Sequence, residues 1–355
     1  MDTQAYEDMD FDWDQMEEIH AGLMDRLDVS VYAKPEFSAG QMRAIREGLK
    51  EGVDASAYAR PELNVSQMNQ IREGLMFDID ISAYAWAEFN EIQMAQIKTG
   101  LEKGLDVSVY AKPEFSSQQM YQIRVGLEAG LDVSIYARPE FNTEQMGEIR
   151  NGLKENLDVS AYAKPEFNWR QMGIILLGLK DGLDVSMYAK PELGSQQMFQ
   201  IHYGLKSGLD VSIYARPEFN WEQMQQIRIG IEAGADAFVF AKPEFTWKQI
   251  KVIHEGLRSG LDVSVYTKPE FNHWQMEQVR EGLKAGLDVS AYARPEFNWQ
   301  QMDEIRLGLK SGLDISVYAK LKFNWRKMKK IREGLKVAAA ASDKPKRARP
   351  SAPGM

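Results

Sequence analysis

Four histidines, His20, His202, His254 and His273, are the side chains of this 355-residue sequence best suited to hold a metal or move a proton near neutral pH. They are scattered, and His20, His202 and His254 share one place in a recurring pattern that elsewhere carries arginine, as at Arg46, Arg124 and Arg228. That place is expected to be an exposed polar position. With no cysteine, the chain has neither a disulfide framework nor thiolate metal ligands. No phosphate-cradling loop, nucleophile elbow or HExxH stretch is present. The Asp of LDVS and the Glu of PEF recur too often for a catalytic pair, which is normally single, whereas a helix cap is needed in every repeat. The expectation is a non-enzymatic protein, without catalytic residues, metal or cofactor.

Basic residues offer a second chemistry, the gripping of phosphates. One potential row runs through Lys34, Arg60, Lys112 and Arg138, and another through Arg124, Arg150, Arg228, Arg280, Arg306 and Arg332, joined near its end by Lys329 and Lys330. Two rows at a fixed spacing suit a nucleic-acid backbone. They equally suit a neutral ladder in which each cation pairs with the Glu two positions on or with an acid of the adjacent repeat. Aromatic residues offer a third chemistry. Places 13, 17 and 21 of the repeat lie on one helix face by their i, i+4 spacing, and they vary: Thr143, Gly147, Asn151; Ser195, Phe199, Tyr203; Trp221, Gln225, Ile229. Trp169, Trp221, Trp247, Trp299 and Trp325 belong to this set, with Phe199 and Tyr203. Such rings either pack between repeats or present a macromolecular partner with apolar area that is costly to leave in water.

The elements that position these residues follow from a period of 26, and 13 × 26 = 338 spans nearly the whole chain. Place 12 is an N-cap type in every repeat, such as Asn64, Ser116 and Asn220, and Gln stands three residues later in all but the last, where Lys327 replaces it. This capping box opens a three-turn helix whose apolar stripe is Met224, Ile227 and Ile231. A Gly after the helix, as at Gly52, Gly104, Gly130 and Gly208, supplies a left-handed C′ residue. The first half, DVSVYAKPEF, predicts a short helix capped by Asp and stopped by Pro, with a strand as the alternative. A further Gly recurs inside the long helix, from Gly22 and Gly126 to Gly334, where it costs about 1 kcal/mol against Ala. Close approach of a neighbouring backbone or of the aromatic ring at place 6 (Tyr32, Tyr58, Tyr110) is the expected reason, so Gly→Ala should clash. Large apolar groups such as Val107, Tyr110, Phe115, Met120, Ile123 and Leu127 are too few to fold a repeat alone, so stacking must complete each one. The fold class is all-α: a right-handed or otherwise superhelical α-solenoid of about 13 two-helix repeats, with an α/β solenoid as the alternative.

One array is therefore expected over residues 1–338, with a degenerate acidic cap at 1–26, a basic cap at 313–338 and a disordered basic tail at 339–355. The first 26 residues hold nine acids and one base (net −8), and residues 313–338 hold eight bases and two acids (net +6). Opposite caps permit head-to-tail self-association, a third possible role. The acidic start is unlike a signal peptide, no apolar run is long enough to span a bilayer, and the lack of cysteine fits a cytoplasmic location.

The string QMxxIRxGLxxGLDVSxYAxPEF, over residues 1–338, resembles a tandem repeat of poorly characterised proteins of clostridial gut bacteria and their mobile elements. The resemblance implies a bacterial repeat protein, and the mobile-element setting would make interference with host defence one use. It implies no activity or site residue. Lys or Arg before the Pro (Lys112, Arg138, Lys164) stands where many such repeats have Asp. The residues and the resemblance together lead to a scaffold that binds a macromolecular partner through the variable face, a protein in preference to a nucleic acid.

Overall fold

The computed structural model describes residue 6 and residues 9–342. Among these, thirteen long helices follow one another, one per repeat. They are α1 (Trp13–Met24), α2 (Ala39–Lys50), α3 (Val65–Met76), α4 (Glu91–Glu102), α5 (Ser117–Glu128), α6 (Thr143–Lys154) and α7 (Trp169–Lys180), then α8 (Ser195–Lys206), α9 (Trp221–Glu232), α10 (Trp247–Arg258), α11 (His273–Lys284), α12 (Trp299–Lys310) and α13 (Trp325–Ser342). Residues 1–180 and 181–355 form two compact units. In the first, α1 to α7 pack each on its sequence neighbours, and in the second α8 to α13 do the same. This nearest-neighbour packing is that of an α-solenoid. No strand occurs among the described residues, which removes the α/β alternative.

Both ends of the long helices are built as their sequence predicts. At α5 the Ser116 amide donates to Gln119 Oε1 (2.7 Å) while the Gln119 amide donates to Ser116 Oγ (3.2 Å). After α4, Gly104 takes φ +67°, its amide reaches Leu101 O (2.9 Å), and the Leu105 amide reaches Gly100 O (3.0 Å), a Schellman close. Arg26, Asp78 and Asn156 adopt the same left-handed conformation where the Gly is missing.

The first half of the repeat departs from the expected short helix. It is one 3-10 turn in most repeats, as at Val29–Val31 and Val107–Val109, and a four-residue α-turn at Ala237–Phe240. Asp does cap it: Asp106 Oδ1 accepts from the Ser108 amide at 3.1 Å. Proline does not stop it, because Tyr110 has already left helical geometry (φ −128°), three residues before Pro113. The tyrosine ring must swing back onto the preceding long helix, and a continued helix would carry it past. Val107, Tyr110, Phe115, Met120 and Ile123 are all buried, whereas Leu127, expected beside them, is half-buried. Helix α13 runs on to Ser342, so residues 339–342 are helical rather than part of a disordered tail; residues 343–355 lie outside the described residues.

Candidate functional site

Two faces of each long helix define what the molecule can offer a partner. On the stacking face, the Gln of the capping box does more than cap. While its Oε1 accepts from the N-cap amide, its Nε2 donates forward into the next repeat: Gln119 to Pro139 O (3.2 Å) and Phe141 O (2.7 Å), Gln223 to Pro243 O (3.0 Å) and Phe245 O (2.6 Å). Sequence reasoning did not anticipate this clamp. Its signal was the use of Gln and never Glu at that place, since a capping box alone accepts either. An amide can accept and donate at once, whereas an ionised carboxylate only accepts.

The interior glycine has the expected partner. Tyr136 Oη donates to Gln122 O at 3.2 Å, the carbonyl one turn before Gly126, and a Cβ on Gly126 would lie 1.9 Å from that oxygen. Burial pushes Tyr58 up to about 12, and the other buried tyrosines of this row are raised for the same reason. Where Phe240 replaces the tyrosine, the gap at Gly230 is slightly wider, 2.6 Å to the ring.

Histidine and arginine share a slot at the repeat interface, and that overturns one expectation. His202 and His254 are buried, at 1% and 4% exposure, and only His20 is exposed. At His254 the slot faces the preceding helix, not solvent. His202 Nε2 lies 3.4 Å from Asp181 Oδ2, His254 Nε2 lies 3.3 Å from Gln226 Oε1, and burial lowers both imidazoles below their ordinary value. The arginines of the slot are engaged as well. Arg124 bonds Gln96 Oε1 (3.1 Å) and Glu128, Arg228 bonds Gln200 Oε1 (3.3 Å) and Glu232 (2.6 Å), and Arg280 bonds Glu255. Arg306 bonds Gln278 Oε1 (3.0 Å) and Asp303 (2.6 Å), and Arg332 bonds Glu304 (2.7 Å). Arg150 alone of the set has no carboxylate within ion-pair distance among the described residues, and Lys329 and Lys330 are exposed. The other basic row lies over the phenylalanine of its own loop, as Arg138 over Phe141 (4.9 Å) and Arg216 over Phe219 (4.9 Å). Arg138 and Arg294 also stand near the Glu two places on (3.9 and 3.7 Å).

The variable face carries exposed rings. In the first unit these include Trp169 and Tyr121, and in the second Phe199, Tyr203 (42% exposed) and Trp299 (37%); Trp221, Trp247 and Trp325 are half-buried. Phe199 meets Tyr203 edge-on at 4.5 Å, and the Arg228 guanidinium lies 5.9 Å from the Tyr203 ring. Trp274 was missed because it stands one place beyond the tryptophan row, where His273 takes the usual slot; the two rings are 4.1 Å apart. Trp221 lines a shallow cleft of about 380 Å³ with Gln197, Pro217, Glu218 and Asn220. One repeat later Trp247 lines its counterpart, about 440 Å³, with Gln223, Pro243, Glu244 and Thr246. The same cleft thus recurs at the N-terminal ends of successive helices, each with an indole wall and a carboxylate.

Among the described residues no three His, Asp or Glu side chains stand close enough to share a metal ion, and no helix is long and apolar enough to cross a membrane. The chain matches no family model, no curated protein and no solved structure.

Proposed function

We propose that this chain is a non-enzymatic binding scaffold whose partner is a protein, held along the variable face by Trp169, Trp221, Trp247, Trp299, Trp325, Phe199 and Tyr203. The observation that carries this reading is the division of labour on each helix. The arginines suited to phosphate are mostly tied up between repeats, while the rings that protein interfaces favour stand exposed at Trp169, Phe199, Tyr203 and Trp299 and wall two successive clefts at Trp221 and Trp247. A partner in extended conformation would meet one indole and one carboxylate at each of these two clefts. Use of such a scaffold against host defence rests on the repeat's resemblance to mobile-element proteins and belongs to the same proposal.

The test compares the wild-type protein with a W221A/W247A/W299A variant in crosslinking capture from bacterial lysate, alongside titration with random DNA and RNA between about 50 and 200 mM salt. The expected result is a protein captured by the wild type and lost from the triple variant, whose unfolding midpoint stays close to wild type. Micromolar nucleic-acid binding with a steep salt slope, abolished by K329E/K330E, would replace this reading with the nucleic-acid one.

A further inference from the structure

The outer faces of the first and last repeats retain the contact code used between repeats, with no described residue stacked on them. Four of its elements can be followed from one stacked pair to the next. A tyrosine enters the slot over the interior glycine, as Tyr32 does over Gly22. The capping-box side chain donates to two loop carbonyls 20 and 22 residues on, as Gln15 does to Pro35 O (3.2 Å) and Phe37 O (2.6 Å). In the first stacked pair alone, place 18 also pairs with place 17 of the next helix, Glu18 with Arg43 (2.7 Å). Place 21 pairs with place 20 of the next, as Glu47 with Arg72 (2.8 Å), and place 25 pairs with place 24, as Asp25 with Lys50 (3.0 Å).

Among the described residues, α13 has no partner for the forward half of these contacts. No described atom lies within 4 Å of where a Cβ on Gly334 would stand, unlike at the glycines that hold a tyrosine. Lys327, a pure donor, stands where the Gln would donate forward. Lys330 is exposed at place 18, Glu333 at place 21 and Val337 (71% exposed) at place 25. The first repeat carries a complement at most of the matching places. Tyr6 stands at the tyrosine place, half-buried, and Phe11 supplies one carbonyl place, while the Met9 carbonyl accepts the Phe11 amide at 2.8 Å. Glu17 faces outward opposite the place of Lys330, and His20, exposed here although its counterparts His202 and His254 are buried, matches Glu333. Met24 (82% exposed) matches Val337, an apolar pair where other interfaces have Asp25–Lys50. At the Glu17 and Lys330 places the charges are reversed relative to Arg43 and Glu18, but they remain opposite. The net charges agree: residues 1–26 carry −8 and residues 313–338 carry +6.

We infer that the first repeat of one copy docks on the last repeat of a second copy in the register of the internal stack. Tyr6 occupies the Gly334 slot, Lys327 donates to the loop of the incoming repeat, Glu17 pairs with Lys330, His20 with Glu333, and Met24 covers Val337. The contact is heterologous, so each copy has a free front and a free rear, and association proceeds beyond a symmetric dimer unless it closes into a ring. Salt weakens it, because the paired charges lie at a solvent-accessible rim. This inference is independent of the variable face and of the partner proposed for it.

Sedimentation velocity of the full chain over a concentration series, at low and high salt, tests the inference with two blocked variants. G334L fills the rear slot at a position where a Cβ would meet no described atom within 4 Å, and an unfolding midpoint close to wild type shows that the fold is retained. E17K reverses the front charge at an exposed position. The wild type should form species larger than a dimer as concentration rises. Each variant alone should associate at least tenfold more weakly, and a mixture of the two should yield a one-to-one dimer, since each keeps the end the other has lost. K330E combined with E17K should restore growth. A wild type that stays monomeric at low salt up to hundreds of micromolar, or one whose association is unchanged by both G334L and E17K, would overturn it.

Discussion

Helices α5 and α8 lie in different units and share a frame almost residue for residue: Gln119, Met120, Ile123 and Gly126 in one, Gln197, Met198, Ile201 and Gly204 in the other. They differ at the outward side chains, Tyr121 and Val125 against Phe199 and Tyr203, and at one interface slot, Arg124 against His202. In α5 a permanent cation satisfies Gln96 across the interface and Glu128 on its own helix. In α8 a buried imidazole stands beside Asp181 and next to the Tyr188 ring, 6.4 Å away and edge-on. The pair shows that the stack depends on shape and on backbone hydrogen bonds, and that it tolerates exchange of the charged group at the slot. That group sets how the interface responds to pH, while the outward rings set what a partner meets.

The strongest way to break the shared frame is G126A or G204A. In each a Cβ would lie 1.9 or 2.0 Å from a tyrosine oxygen, so both should lose about 3 kcal/mol in denaturant unfolding, by overpacking and loss of the tyrosine hydrogen bond. G334A, at the same place of the repeat but over empty space, should instead gain up to about 1 kcal/mol from helix propensity. Equal effects at Gly126 and Gly334 would show that the glycine is not kept for the tyrosine.

Next in size is Q119E. As a capping-box residue Glu would be neutral, but here a carboxylate would face the Pro139 and Phe141 carbonyls that now accept from Nε2, at a cost of roughly 2–3 kcal/mol. Q197E should behave alike, since Gln197 donates to Phe219 O at 2.6 Å. A loss below about half of that in urea unfolding would make the forward clamp incidental.

The smallest effect sharpens the difference between the two helices. The folded pKa of His202 and His254 is depressed, so their contribution is present above the unfolded value near 6.5 and is lost as pH falls toward the folded value, where the unfolded chain holds the extra proton. Asp181 opposes that shift at His202 and Lys206 adds to it; at His254, Glu255 opposes it while Arg258, Lys251 and Arg280 add to it. Stability should fall below about pH 6.5 by up to about 1.4 kcal/mol per pH unit per histidine, and a H202R/H254R variant should lose that slope. A slope unchanged in the variant would assign the pH response to other groups, such as the Asp54 and Asp210 caps, whose bonds to Ser56 and Ser212 hold them below the usual carboxylate range and act at lower pH.

Much of this was written locally. The 26-residue period, the capping boxes, the left-handed closures and the Asp cap of the short turn each rest on hydrogen bonds between residues a few places apart, and a sequence specifies such bonds directly. Even the tyrosine over the interior glycine was legible, because a helix-breaking residue repeated at one place calls for a steric cause. Three features were decided by the stack. The first half of the repeat is a single turn because the tyrosine has to reach back onto the previous helix. Gln119 serves two repeats because its Nε2 finds carbonyls 20 and 22 residues on. His254 is buried because its slot faces Gln226 of the preceding helix, although one repeat read alone places it on a polar face. In each case the partner lies outside the repeat, and its distance and direction exist only once two repeats are packed.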